Sequence, residues 1–213
     1  MKTIAKRIGK NAKNARRKNT VRKNTIRYVG ILFMCLCAMT IRVAVAEKLN
    51  EDSKRIESAY NQLQLRQDNV AFQQAYLDAF PKTAKSFNQV FNPPNRKQLF
   101  DGNKYIFLLE SLSENHLEPT LALTMKLACN LQWKSGAPDY LQLVLIKIAV
   151  NNPIAFAKGF KPMGPSQRTS LVEFLAAGQK GPAPGYERLI EILRRIGYPK
   201  VADQLFFGLS SID

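Results

Sequence analysis

The stretch TLALTMKLACNLQW, residues 120–133, and the stretch DYLQLVLIKIAV, residues 139–150, are apolar on nearly every face of a helix. Helices of this kind lie in the centre of a protein, surrounded by other helices. Each is shorter than the roughly 20 residues that span a bilayer, and each contains a lysine, Lys126 or Lys147. They therefore predict two central helices of a folded domain. The residues that we expect to be shielded from water are Leu121, Met125, Leu143 and Ile146.

The segments on either side have the same helical period. In DNVAFQQAYLDAFP, residues 68–81, aromatic residues and alanines recur at spacings of three and four, and Pro81 ends the run. Asp68 and Asn103 are placed to cap two of the predicted helices. Further helices are predicted at NKYIFLLESLSE (103–114), NNPIAFAKGF (151–160) and YERLIEILRRIGYPKVADQLFFGL (186–209). No stretch alternates with the period of two that predicts a strand.

Proline and glycine separate these helices in the order that is typical of helix ends. Pro153 and Pro199 occupy first helical positions, and Gly197 suits a left-handed stop. Short turns between such helices predict consecutive antiparallel hairpins. We therefore predict an all-α fold, either an irregular multi-helix bundle of consecutive helical hairpins or a short HEAT-like stack.

The first 46 residues have the pattern of an export signal. Residues 1–27 carry 11 basic side chains and no acid, an apolar run follows over 28–41, and Ala44-Val45-Ala46 supplies the small residues that signal peptidase recognises. We predict a signal peptide with a long basic n-region at 1–46. Ala44 and Ala46 form the recognition pattern, and cleavage follows Ala46.

Arg42 leaves an alternative open. If its side chain extends to the interface, residues 28–46 just reach across a bilayer as an uncleaved anchor. The charge asymmetry keeps the N-terminus cytoplasmic in either case, so the body is predicted to be periplasmic or envelope-associated. We do not predict a nucleic-acid partner for the basic residues, because phosphate binding does not require the apolar run that follows them.

The rest of the chain is long enough for one domain with a real core. It divides into a polar helical lead-in at 47–67 and an all-α domain at 68–213. It holds 20 basic and 16 acidic residues, a formal charge of about +4 against +16 for the whole chain. Its only cysteine is Cys129, which excludes an internal disulfide and whose apolar neighbours predict a buried thiol.

The segment YLDAFPKTAKSFNQVF, residues 76–91, resembles part of an uncharacterised family of small exported all-helical bacterial proteins. Members of this family carry a FLxAFPxTFxxFxxxF-like segment after a leader and a short polar helix. The resemblance covers residues 68–160. Ala84 stands where an aromatic residue is often found, and Asn92-Pro93-Pro94 replaces an aspartate- and tyrosine-rich stretch. The resemblance implies export and a helical fold, and it implies no substrate.

The body contains no recognisable catalytic motif. His116, the single histidine, lies in the polar turn SENHLEP beside Glu114 and Glu118. One histidine and two carboxylates on a loop do not complete a metal shell. No serine lies in a Gly-x-Ser-x-Gly elbow. We therefore expect a solvated His116, no catalytic, cofactor-binding or metal-binding residue, and no cofactor.

Basic residues lie close together along one later part of the chain, which favours an anionic partner such as a lipid headgroup or an acidic polysaccharide. They are Lys158, Lys161, Arg168 and Lys180. The function predicted from the sequence is an exported helical envelope protein that binds or scaffolds an unknown envelope partner, a protein or an anionic surface, without catalysis. The alternatives are a membrane-anchored form of the same protein and an enzyme whose residues converge only in the fold.

Overall fold

The computed structural model describes residues 51–92, 99, 102–179 and 181–210. The predicted leader, with Ala44 and Ala46, lies outside these ranges. The described residues belong to one compact unit, Leu49–Asp213, and form ten helices. The helices are α1 (51–65), α2 (Val70–Ala79), α3 (Ala84–Phe91), α4 (Asn103–Leu112), α5 (Leu117–Ala128), α6 (Ala137–Asn151), α7 (Pro153–Phe160), α8 (Pro165–Ala176), α9 (Tyr186–Arg195) and α10 (Pro199–Ser210).

The predicted all-α class is confirmed. Within the described ranges the only β-type pairing is an isolated bridge between Gln179 and Gly181. The central helix is α6, which contacts α4, α5, α7, α8 and α9. The most closely packed helices lie within three positions of each other along the chain. Consecutive helical hairpins give this pattern, which an irregular bundle and a short HEAT-like stack share.

No single helix in the described ranges is both long enough and apolar enough to cross a membrane. Taken together, α6 and α7 meet that test, but the chain bends by 112° at their junction.

Three of the four predicted core residues are buried, and one is not. Leu121, Met125 and Ile146 are nearly inaccessible, whereas Leu143 is only partly buried against the core. The prediction for Leu143 is wrong because α6 keeps one stripe toward solvent. Residues at helical spacing along that stripe, Tyr140, Leu143 and Lys147, all retain exposed surface.

Several helix ends differ from the predicted ones. Asn69, not Asp68, caps α2, and its Oδ1 accepts the N–H of Phe72 at 3.1 Å. At α4 the capping position belongs to Gly102, and Asn103 is the first helical residue. Gly102 has a φ of 67°, and a Cβ there would lie 2.5 Å from Cδ1 of Phe91, so glycine is required at this close approach.

The first of the two predicted central helices, residues 120–133, also ends early. α5 begins at Leu117 and stops at Ala128, so the residues up to Trp133 are not helical. Leu131 is nevertheless buried, and Trp133 Nε1 donates to Oε1 of Gln142 at 3.1 Å. This segment is held by tertiary contacts rather than by helical hydrogen bonds.

The helix α1, which falls within the predicted polar lead-in, packs on the core of the following helices. Its Ile56 and Leu63 are fully buried in the same cluster. The ring of Tyr60 lies against Tyr105, with centroids 4.9 Å apart in an edge-on arrangement. Aromatic edge-to-face pairs of this kind add to the energy of burial. An aromatic cluster therefore joins α1 to α4.

Two buried tyrosines donate hydrogen bonds inside the fold. Tyr76 Oη donates to the carbonyl of Tyr105 at 2.6 Å, and Tyr186 Oη donates to the carbonyl of Leu205 at 2.8 Å. Burial raises the pKa of both phenols well above the usual value for tyrosine, and the neighbouring phenols add to the effect at Tyr76. Both side chains are thus held protonated in the folded protein.

We expect Tyr186→Phe to flatten the loss of stability at alkaline pH. Above a pH of about 10 this phenol ionises in the unfolded chain but not in the folded one. The unfolded state then binds fewer protons, so the free energy of unfolding falls by about 1.4 kcal/mol per pH unit for each such tyrosine. Urea unfolding at several alkaline pH values measures the slope, which should be shallower in the variant by about that amount. Identical slopes would contradict a protonated Tyr186.

Candidate functional site

A groove of about 800 Å³ opens between α5 and α7. The chain bends by 112° between α6 and α7, so that α7 does not fold fully back along α6. Farther along, α7 approaches α5 closely: a Cβ built at Gly159 would lie 3.2 Å from Sδ of Met125. We call this feature the α5–α7 groove.

The lining of the α5–α7 groove is mainly apolar. The side chains that define it include Leu121, Ala122, Met125, Ile154, Met163 and Ile196. Leu121 and Met125 are buried and form the floor, whereas Ile154 and Ile196 are 51% and 38% exposed. Covering exposed apolar surface is favourable by about 25 cal/mol per Å². The groove therefore presents apolar surface that a ligand can remove from water.

Charged side chains occupy the rim of the groove. Lys126 and Lys158 lie in the last turns of α5 and α7, and Glu118 lies in the first turn of α5. All three are exposed. In the described part of the chain, no ion pair involves any of them. The helix dipoles favour each charge at its position.

Cys129 lies at the edge of the α5–α7 groove. The predicted buried thiol is only partly buried, and its Sγ is 3.5 Å from the carbonyl oxygen of Gln167. Burial raises the pKa of the thiol. Nucleophilic cysteines need the opposite shift, toward the thiolate. Cys129 is therefore unsuited to nucleophilic attack in this setting.

His116 is less solvated than the sequence predicts. It precedes α5, and its Nε2 is buried without a hydrogen-bond partner, as is Oγ1 of Thr120 one turn later. The side chain as a whole is half-buried, so the predicted full solvation of His116 is wrong. Glu114 and Glu118 remain exposed. In the ranges that the structure describes, no three His, Cys, Asp or Glu side chains are grouped to hold a metal ion.

Of the four predicted basic residues, the structure joins Lys161 and Arg168, and Lys180 lies outside the described residues. Arg168 Nη2 donates to the carbonyl of Lys161, and the guanidinium of Arg168 lies 5.8 Å from the ring centre of Phe160. Lys161 Nζ lies 4.5 Å from the ring centre of Tyr198. Two of these charges are thus engaged with aromatic rings, whereas Lys158 lines the groove.

The amino-acid sequence does not predict the groove. Its apolar pattern predicts that residues 120–133 are covered on nearly every face, whereas Ala122 is exposed on the groove wall. Pro153 was the only local signal, because it ends one helix axis and starts another.

Comparison with protein-family models, with curated proteins and with solved structures finds no match to this chain.

Proposed function

We propose that this protein is an exported, non-catalytic binding module of the bacterial cell envelope, and that it holds an apolar ligand in the α5–α7 groove. The groove itself carries the proposal: its volume of about 800 Å³ combines an apolar floor with two exposed isoleucines. Ligand sites in proteins usually have volumes of about 300–1,000 Å³, apolar linings and a few placed polar groups. The export pattern of residues 1–46 supports the location.

The chemistry of the groove favours binding over catalysis. Its charged groups, Glu118, Lys126 and Lys158, lie on the exposed rim rather than on the floor. A general base must be held within hydrogen-bond reach of the proton that it takes, and none of the three has a side-chain partner that orients it among the described residues. The raised pKa of Cys129 opposes a nucleophilic role.

We expect Ala122→Trp to weaken binding of a neutral apolar probe, N-phenyl-1-naphthylamine, by at least about 10-fold. The indole would fill the groove and cover the apolar surface that the probe needs. Fluorescence of the probe on titration with protein measures the affinity. Ala75→Trp is the matched control, since Ala75 is also an exposed helical alanine but lies on α2, away from the groove.

Probe affinity should be unchanged in Ala75→Trp. If both variants bind the probe as the wild type does, the probe occupies another surface and the α5–α7 groove is not the binding site. If the wild type does not bind the probe, the proposed function is wrong.

The export part of the proposal makes a separate prediction. We expect the protein from its native host to begin at Glu47, because Ala44 and Ala46 satisfy the small-residue pattern of signal peptidase. Intact-mass spectrometry of the periplasmic and membrane fractions checks this. Recovery of the uncut chain in the membrane fraction would contradict cleavage and support the anchored form.

A further inference from the structure

Two lysines flank the close approach between α5 and α7. The contact joins Met125 on α5 to Gly159 on α7, where an added Cβ would lie 3.2 Å from the methionine sulfur. Lys126 follows Met125, and Lys158 precedes Gly159, and both lysines line the groove. One end of the groove therefore carries a positive charge on each wall.

Neither lysine has an acidic partner in the described part of the chain. The ion pairs there are Arg55–Asp52, Lys147–Glu110 and Arg194–Asp203. The pKa of Lys82 is lowered, mainly by burial and in smaller part by repulsion from Arg55 and Lys126. Asp78 opposes this shift. Positive charge that has no acidic partner beside an apolar surface attracts anions.

The acid of the groove lies away from the lysine pair. Glu118 is eight residues before Lys126 on α5, a distance of about 12 Å along a helix axis. It lines the groove together with Asn151 and Asn152, which lie at the α6–α7 junction. The charges of the groove are therefore separated along its length: the two lysines lie at one end, Glu118 lies about 12 Å away, and apolar side chains lie between them.

From this arrangement we infer that the ligand of the α5–α7 groove is a single-chain amphiphile with an anionic head. The chain lies on the floor formed by Leu121 and Met125, and the head, a carboxylate or a phosphate, lies between Lys126 and Lys158. This inference rests on the proposed function of the groove. The lysine pair adds the charge of the head group, which the apolar lining alone does not specify.

The size of the groove favours such a ligand over a folded protein partner. A stable protein interface buries about 800 Å² on each side. The groove is walled by one face of α5 and by α7, which has 8 residues and is about 12 Å long. These walls suit one extended chain.

Isothermal titration calorimetry of the protein purified from its native host tests whether the hydrocarbon chain of the ligand is bound. Octanoate, decanoate and dodecanoate, each below its critical micelle concentration, should bind with increasing affinity, about 5- to 15-fold for each added pair of methylenes, because every buried methylene contributes to transfer from water. An affinity that does not depend on chain length would overturn the inference.

A second series tests the head group at constant chain length. Dodecanoate and dodecyl phosphate should each bind about 10-fold more tightly than dodecyltrimethylammonium, and the tighter of the two anions identifies the source as a free fatty acid or a phosphate-bearing lipid. The preference should weaken with added salt, because exposed charges are screened. Equal affinity for the cationic amphiphile would overturn the anionic head.

Lysine variants locate the head group. Lys126→Gln and Lys158→Gln should each weaken dodecanoate binding about 3-fold, the usual scale for an exposed ion pair. Lys85→Gln, at an exposed lysine of α3, should leave it unchanged. Both groove variants should lose more affinity for dodecanoate than for the neutral probe. If both bind dodecanoate as the wild type does, the lysine site is wrong although the apolar groove stands. If neither probe nor amphiphile binds, the proposed function itself fails.

Discussion

Gln142→Leu is expected to lower the free energy of unfolding by about 4 kcal/mol, because it removes four hydrogen bonds, two buried and two partly buried, and leaves their partners unsatisfied. Gln142 is 1% exposed and lies on the central helix α6. Its Nε2 donates to the carbonyls of Phe174, Leu175 and Ala177 at 2.6, 3.1 and 2.7 Å. Its Oε1 accepts from Trp133 Nε1 at 3.1 Å.

These partners explain why a polar side chain is retained in the core. The last carbonyls of a helix have no partner within the helix, and Gln142 supplies donors to the end of α8. The indole of Trp133 can only donate and the carbonyls can only accept, so the orientation of the amide is unambiguous. An amide nitrogen has two hydrogens for three carbonyls here, so one hydrogen is shared. The same side chain also holds the non-helical segment before α6.

Urea unfolding followed by circular dichroism measures the loss for Gln142→Leu. Gln132→Leu is the matched control, because Gln132 is exposed in the neighbouring segment and should change stability by less than about 0.5 kcal/mol. Trp133→Phe removes one donor and should cost about 1–2 kcal/mol. A loss under about 1 kcal/mol for Gln142→Leu would mean that the end of α8 does not depend on this amide.

The second large effect is expected at Leu145. Leu145→Ala should lower the free energy of unfolding by about 4 kcal/mol, since truncation of a fully buried leucine removes its burial energy and leaves a cavity. Leu145 is 0% exposed on the central helix. Leu143→Ala, two residues earlier on the partly exposed stripe, should cost about half as much or less.

Paired thermal and urea unfolding of the two variants separates the faces of α6. The comparison is matched, because both changes remove the same atoms from the same helix. Equal losses at the two positions would contradict the orientation of α6 that places Leu145 inward and Leu143 toward solvent.

The sequence was sufficient for the helical class but not for the faces of the central helices. Apolar residues lie on nearly every face of α6, so its sequence does not show which face is turned to solvent. Only the packing of the helix reveals that Leu143 and Lys147 share the outer side. Caps were located to within one residue, as at Asn69 and Asp68, because either side chain can accept the free N–H groups. A cap is decided by backbone geometry that neither residue type specifies alone.

The α5–α7 groove could not be predicted from local sequence patterns, for a different reason. The walls of the α5–α7 groove come from segments whose separation depends on the 112° bend at the α6–α7 junction, and no residue type encodes an angle. His116 was judged by its polar neighbours in sequence, whereas its Nε2 is buried by tertiary packing. Gln142 did carry a signal, because a glutamine in an apolar run implies buried hydrogen-bond partners. The leader and its cleavage after Ala46 stay predictions from the sequence.

The arrangement of neighbours around α6 has a consequence for how the chain folds. Because the most closely packed helices lie within three positions of each other, the loops to be closed are short, and topologies with local contacts fold quickly. The helix α6 nevertheless needs partners on both sides in the chain, α4 and α5 before it and α9 after it. Until α9 is available, part of the apolar surface of this central helix stays uncovered. Chains truncated before Tyr186, which therefore lack α9, should aggregate rather than fold.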